Sequence, residues 1–233
     1  MPEHAEPVPL KTSVTSITQH HKPLSDEDSE ETLEDKRKTE EAVRTFRLSS
    51  APTKPAFLED EKRKVEATSI GTATHRFMHL INLDELRKEG ADEDQTVHDE
   101  MARMRAEHIM SEDEANMIRI KGPVSFFRSE LGRRMLASSE VRREVDFTMK
   151  MDPHHPTLIQ GIIDCVFKEN GEWILIDYKT DRDTAPETFI PRHEMQMNWY
   201  RAAIERLTRI KVKEMWLFAL QAGKAFPVER RDV

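Results

Sequence analysis

The chain has 233 residues, of which 37% are hydrophobic and 34% charged, and a formal net charge of −8. Such a length suits one medium domain with or without a tail, and such a composition supports one modest core under much solvated surface. Together they exclude a non-specific nucleic-acid coat, and the lack of any stretch near the ~20 apolar residues of a bilayer span excludes a helical membrane protein.

The charge is unevenly spread. Residues 1–60 carry 13 Asp/Glu and 8 Lys/Arg, so −5 of the −8 comes from this stretch. Met1 to Leu10 has no basic start leading into an apolar run, so it does not read as a secretory signal. The single Cys165 permits no internal disulfide, and a cytoplasmic location is expected. One cysteine also rules out a Cys-ligated zinc site or an iron–sulfur cluster. Cys165 itself reads as a small buried hydrophobe in a strand.

In chain order, residues 1–55 read as a flexible acidic lead-in. Ser25 to Glu41 is dense in charge with Leu33 as its only apolar side chain, and Ala51-Pro52-Thr53-Lys54-Pro55 marks a boundary. The domain proper is expected over 56–233. From Thr68 the pattern turns helical, through Gly71-Thr72-Ala73-Thr74-His75 into Phe77, Met78, Leu80 and Ile81, with Gly90 as the stop. A second helix is expected from Asp94 to Met110. Ser111 followed three residues later by Glu114 is a capping-box signature, and short helical pieces continue to Leu136.

The period then changes to two. Val141 to Met151 alternates as a strand, Asp152-Pro153-His154-His155-Pro156 is a turn, and Leu158 to Phe167 is a β-branched strand. Asn170-Gly171 signals a hairpin into Trp173 to Lys179, apolar on both faces as a central strand should be. A helix from about Arg192 to Thr208, a strand from Val212 to Ala219 and a short one from Ala225 to Val228 complete the chain. Helices first, then a hairpin, a crossover helix and another strand, spell an α/β domain with a mixed sheet.

Chemistry concentrates in two segments, Gly161-Ile162-Ile163-Asp164 and Ile176-Asp177-Tyr178-Lys179. Alternate strand residues share a face, so Asp177 and Lys179 are expected to point the same way. The hairpin lays Asp164 alongside. Two carboxylates and an ammonium at the end of apolar strands cost several kcal/mol of desolvation unless compensated. A hard divalent cation with oxygen ligands is the natural compensation, and phosphodiester hydrolysis is the chemistry it serves. A surface ion pair between Asp177 and Lys179 is the plainer alternative, but a surface strand does not read Trp-Ile-Leu-Ile just before its charges.

The spacing Asp164…Asp177-Tyr178-Lys179 resembles the PD-(D/E)XK nuclease signature. Gly71-Thr72-Ala73-Thr74-His75, Arg143-Glu144-Val145-Asp146-Phe147, Gln160 to Asp164, Ile176 to Asp181 and Gln196-Met197-Asn198-Trp199-Tyr200 follow in the order seen in RecB-like nuclease domains, most closely those of the AddA type. The lead-in pieces Pro9 to Thr15 and Pro55 to Leu58 also look similar, so the resemblance covers roughly Leu10 to Val228.

The resemblance implies a restriction-endonuclease-like core behind a helical N-terminal part. It implies a metal centre of His75, Asp164, Asp177 and the Tyr178 carbonyl, with Lys179 catalytic and Glu144 an acidic residue near the reaction. Gln196 and Tyr200, a Q-x-x-x-Y pair on one helix face, are implied to hold DNA and brace the site, with Thr180 touching DNA more weakly. His79, one turn after His75, matches no ligand position. The implied cofactor is Mg²⁺, with Mn²⁺ as a substitute. The implied reaction is exonucleolytic cleavage of single-stranded DNA unwound by a helicase, in double-strand-break repair and recombination. The implied partners are the helicase portion of an AddA-type protein and a second protein of the AddB type, as in AddAB/RecBCD-like complexes. No G-x-x-x-x-G-K-[ST] is present, so no ATP site is expected in this chain. The rival reading is a docking module that keeps the nuclease fold without cutting. A sequence-specific endonuclease is a weaker rival, since no base-reading element is identifiable.

Overall fold

The computed structural model describes residues 11–14, 69–150 and 158–233. Among these, the strands are β1 (Lys11–Ser13), β2 (Val141–Lys150), β3 (Leu158–Glu169), β4 (Glu172–Lys179), β5 (Val212–Ala219) and β6 (Lys224–Pro227). The helices are α1 (residues 69–80), α2 (Leu83–Leu86), α3 (Glu93–Ala106), α4 (Glu112–Met117), α5 (Lys121–Arg128), α6 (Glu130–Ala137) and α7 (Pro186–Thr208). The expected charged stretch Ser25 to Glu41, the boundary at 51–55 and the turn at 152–156 lie outside the described residues. None of the described helices is long and apolar enough to cross a membrane.

The strands form one mixed sheet. β2 pairs antiparallel along almost all of β3, and on the other edge β3 pairs with two strands in turn. Its first residues take β1 in parallel, and its last ones take β4 antiparallel, from Cys165↔Ile176 to Glu169↔Glu172. β4 continues in parallel with β5, and β6 closes the row antiparallel. A parallel pair needs a long crossover, which α7 supplies between β4 and β5. Residues 11–13, inside the expected lead-in, thus belong to the sheet, and Val14 beside them is buried.

Each sheet face has its own core. α1 to α6 pack Phe77, Met104, Phe126 and Met135 onto Cys165, Phe167, Ile174, Ile176 and Phe218. The opposite face packs Phe189, Met197, Ala203 and Ile204 of α7 onto Ile163, Val166, Leu175 and Leu217. β4 therefore feeds both layers, as its unbroken apolar run requires. The chain is a restriction-endonuclease-like α/β domain, with the helical N-terminal part on one face.

Several local expectations are met closely. Ser111 and Glu114 form the reciprocal capping box at α4. Asn170 and Gly171 both take positive φ, as a tight hairpin turn demands. α7 starts earlier than Arg192 because Pro186 stands in its first turn. Pro191, which reads as a breaker, lies inside the helix and forgoes only one backbone bond near its start.

Candidate active site

The site lies where β3 and β4 part. Their last paired residues on this side are Cys165 and Ile176, and beyond them the ladder stops. There Asp164 replaces the backbone partner: its Oδ2 accepts from the N–H of Tyr178 at 2.7 Å. Its Oδ1 lies 3.1 Å from Nδ1 of His75 on α1. Asp164 is 9% exposed, so little water reaches either contact.

The rung between Asp164 and β2 is also special. Arg143 pairs with Cys165 and Val145 with Ile163, which leaves Glu144 opposite Asp164 without a ladder contact. Glu144 has φ +52. At this rung both strands change layer. Val141 and Cys165 face the α1–α6 core, whereas Val145, Phe147 and Ile163 face the α7 core, although all carry odd numbers. A left-handed residue reverses the pleat, at about 1–2 kcal/mol for a side chain with a Cβ.

His75, Glu144 and Asp164 each offer a ligand atom, and these atoms all lie within 4.8 Å of one another. Two carboxylates and an imidazole make an oxygen-rich donor set that suits a divalent cation. Burial raises the pKa of Glu144, and the neighbouring Asp164 raises it further. Burial opposes charge on His75, but Asp164 outweighs it, so the imidazole pKa is raised. Glu144 is thus placed as a candidate ligand rather than only as an acid nearby. Its signal in the sequence was the acidic residue of Arg143-Glu144-Val145-Asp146-Phe147, but its rotation out of the pleat was not legible there.

Asp177 and Lys179 follow Trp173 and Leu175 along the α7 side of β4. Asp177 is 2% exposed, and its Oδ2 lies 2.6 Å from Nζ of Lys179 in an ion pair without hydrogen-bond angles. Burial raises the Asp177 pKa despite the lysine. Burial works against the charged Lys179, yet Asp177 and Asp164 more than offset it and keep the ammonium protonated. A buried carboxylate with an incompletely satisfied oxygen, next to three convergent ligand atoms, fits a cation bound at this fork.

Gln196 and Tyr200 of α7 complete the wall. Lys179 Nζ donates to Gln196 Oε1 at 2.9 Å, and Gln196 Nε2 donates to the Tyr200 hydroxyl at 2.7 Å. A lysine has only donors, so the amide oxygen must face it. Tyr200 meets Phe147 edge to face at 5.8 Å. Both rings press on Gly161, where a Cβ would come within 2.8 Å of Phe147 and 3.2 Å of Tyr200. Glycine at 161 is what lets the Tyr200–Gln196–Lys179 chain close. Thr180 follows directly, its carbonyl accepting from Gln221 at 2.6 Å.

The structure thus brings together every residue named from the sequence: His75, Glu144, Asp164, Asp177, Tyr178, Lys179, Thr180, Gln196 and Tyr200. Sequence reasoning missed Arg143. This half-buried guanidinium donates to the carbonyls of Met78 and Ile81 at 3.0 and 2.7 Å, capping the end of α1. It ties the helix that carries His75 to the strand that carries Glu144. His79, read as lacking a role, lines the same cleft as His75, and its Nδ1 is buried with no partner among the described residues.

With this geometry in place, the family model described as "PD-(D/E)XK nuclease superfamily" matches residues 30–231. The chain belongs to the PD-(D/E)XK nuclease superfamily. This nuclease-superfamily chain is also similar to the A-type subunits of the "ATP-dependent helicase/nuclease" from three bacteria. The protein of Clostridium botulinum (strain Okra / Type B1) is 28% identical over 97% of this chain. That of Clostridium kluyveri is 35% identical over 71%, and that of Lysinibacillus sphaericus 33% identical over 73%. The chain spans only 17%, 14% and 14% of those proteins' own lengths, respectively.

Proposed function

We propose that this chain hydrolyses phosphodiester bonds of single-stranded DNA with Mg²⁺, as the nuclease part of a helicase–nuclease that processes double-strand breaks for recombination. The observation that carries this reading is the meeting of His75, Glu144, Asp164, Asp177 and Lys179 at the β3–β4 fork. A docking module has no use for so costly a set of charges in a nearly dry place. Similarity to helicase/nuclease proteins supports the DNA substrate, the exonuclease mode, a helicase supplying the strand, and an AddB-type partner.

His75, Glu144, Asp164, Asp177 and the Tyr178 carbonyl are the groups that would hold Mg²⁺ or Mn²⁺. A divalent cation there supplies Lewis acidity to the scissile phosphate and to water. Lys179, kept protonated by Asp177 and Asp164, donates to the phosphate or the attacking water and offsets charge that develops there. Gln196 is a positioning residue. It holds the ammonium from the side opposite Asp177, and Tyr200 holds Gln196.

The test is degradation of single-stranded DNA, labelled at the 3′ or the 5′ end, by the purified chain. Cutting is expected with Mg²⁺, none with a chelator, and none by Asp177→Ala with its circular dichroism unchanged. Cutting near wild-type levels by Asp177→Ala would remove Asp177 from the chemistry. No cutting by wild type with either Mg²⁺ or Mn²⁺ would favour the docking module.

A further inference from the structure

Charge is distributed unevenly around the fork. The cleft beside His75 is mixed, with Arg76, Glu144 and Asp164 in its wall. A second cleft, on the far side of Ile162, includes Asp146. A third differs in kind. It lies where α5 begins against the β5–β6 turn, has a volume of about 460 Å³, and is lined by Arg119, Lys121, Gly122, Ser125, Gln221 and Gly223 among others, with no carboxylate. Most arginines of the described residues have an acidic partner, as Arg76, Arg128, Arg134 and Arg192 do. Arg119 instead donates to the neutral Gln221 Oε1 at 2.7 Å, and Lys121 has no ion pair among the described residues. An acid-free, cation-lined cleft is an exception in a chain of net charge −8.

The position of this cleft connects it to the fork. The N–H of Leu220 donates to the Lys179 carbonyl at 2.9 Å, and Gln221 Nε2 donates to the Thr180 carbonyl. On the other flank, a Cβ at Gly71 would meet Thr180 Oγ1 at 3.4 Å, and Gly71 lines the cleft of His75. The two clefts therefore border one residue, Thr180. The cleft is also held open by small residues. A Cβ at Gly122 would come within 3.0 Å of the Leu220 carbonyl, and one at Gly223, where φ is +63, within 3.2 Å of Ser125.

We infer that this cleft is a second docking site for the substrate, gripping backbone phosphates of a single DNA strand beside the bond being cut. The inference rests on the nuclease reading and adds where the strand is held. The fork presents Glu144, Asp164 and Asp177, which repel a polyanion, so affinity must come from cations nearby. Lys and Arg contacts to phosphates supply sequence-independent affinity, which an exonuclease needs on any strand.

The test compares the full chain with Arg119→Glu/Lys121→Glu on two labelled single strands. One has about four nucleotides, and the other extends beyond the roughly 16 that a protein groove of this kind covers. The ratio of kcat/KM for the long strand to that for the short one is expected to fall about tenfold. The log–log salt dependence of binding to the long strand should become shallower by about 1.4, that is ~0.7 for each lost phosphate contact. Lys121→Glu alone leaves the Arg119–Gln221 bond intact, is expected to produce about half of that slope change, and serves if the double variant does not fold. An unchanged ratio and slope in a folded variant would overturn the docking site, including the case in which an acidic protein occupies it, while wild-type cutting keeps the nuclease reading. Wild-type chain that neither binds nor cuts DNA would overturn both.

Discussion

Each oxygen of Asp164 has its own partner, His75 on one side and the Tyr178 N–H on the other. Truncation to alanine would orphan a buried N–H, at about 1–3 kcal/mol, and remove the charge as well. Asp164→Asn separates the two, because the amide oxygen still accepts from Tyr178. It is expected to fold and to bind Mn²⁺ at least about tenfold more weakly. Lys179→Ala should keep Mn²⁺ affinity, or raise it by removing a nearby positive charge, yet lose cleavage. Calorimetric titration of Mn²⁺ into both variants, with a cleavage assay, checks the pair. Equal loss of Mn²⁺ binding would mean that the lysine holds the carboxylates in place. Asp181 is simpler. Its contact with His193, aided by Arg192, holds its pKa at about 2 against an ordinary 3.8. Since the folded value is depressed, the stabilisation is complete above about pH 4 and disappears as pH falls through about 2, and it is worth roughly 2 kcal/mol. Wild type should exceed Asp181→Asn by that amount in urea titrations near neutrality, with the gap closing in acid. A gap independent of pH would show that the ion pairs are not its source.

Elements place these residues through exceptions to their own regularity. β2 bends out of its pleat at Glu144, opposite Asp164, and the ligand group forms at that rung. The strain of a left-handed glutamate, about 1–2 kcal/mol, exceeds the 0.5–1 that glycine costs inside a strand. The raised pKa of Glu144, caused by burial and then by Asp164, adds a second unfavourable contribution to the folded chain. Glu144→Gly is therefore expected to stabilise the metal-free protein by about 1 kcal/mol while abolishing cleavage, a trade of stability for function. Glu144→Ala keeps the strain and should gain less. Chemical denaturation without metal reads both, and a destabilised Glu144→Gly would show that Glu144 supports the fold. α1 and β2 are tied at the same place by Arg143, whose bonds to Met78 and Ile81 fix His75 relative to Glu144.

At the scale of the molecule, β3 is the shared spine. It pairs with β2 along one edge, and with β1 and β4 in succession along the other. The fork with its charges lies between the two partners of that second edge. β1 is only three residues long, but Val14 after it is 1% exposed and packs with the α7 core. Burying a valine contributes about 1.5–3 kcal/mol. Removing residues 1–14 is thus expected to lower stability by at least about 2 kcal/mol, while removing residues 1–8 leaves these contacts in place. Thermal unfolding of the two truncations compares them, and equal midpoints would mean that β1 adds nothing.

How much was readable in advance follows from the range of each interaction. The capping box at Ser111, the Asn170-Gly171 hairpin, the apolar β4 and the pairing of Asp177 with Lys179 on one face are short-range consequences of residue type and spacing, and the sequence by itself determined them. The motif order also located His75, Asp164, Gln196 and Tyr200. The rest depends on contacts between residues far apart in the chain. Nothing near Lys11 announces a partner at Leu158, because a three-residue strand has no period of its own. Pro191 reads as a helix start until packing of α7 on the sheet outweighs its lost bond. The left-handed Glu144 is held by the layers above and below it, and its place in the ligand group exists only once α1, β2 and β3 meet. Tertiary structure decided these features, since strain and buried charge persist only where surrounding packing imposes them.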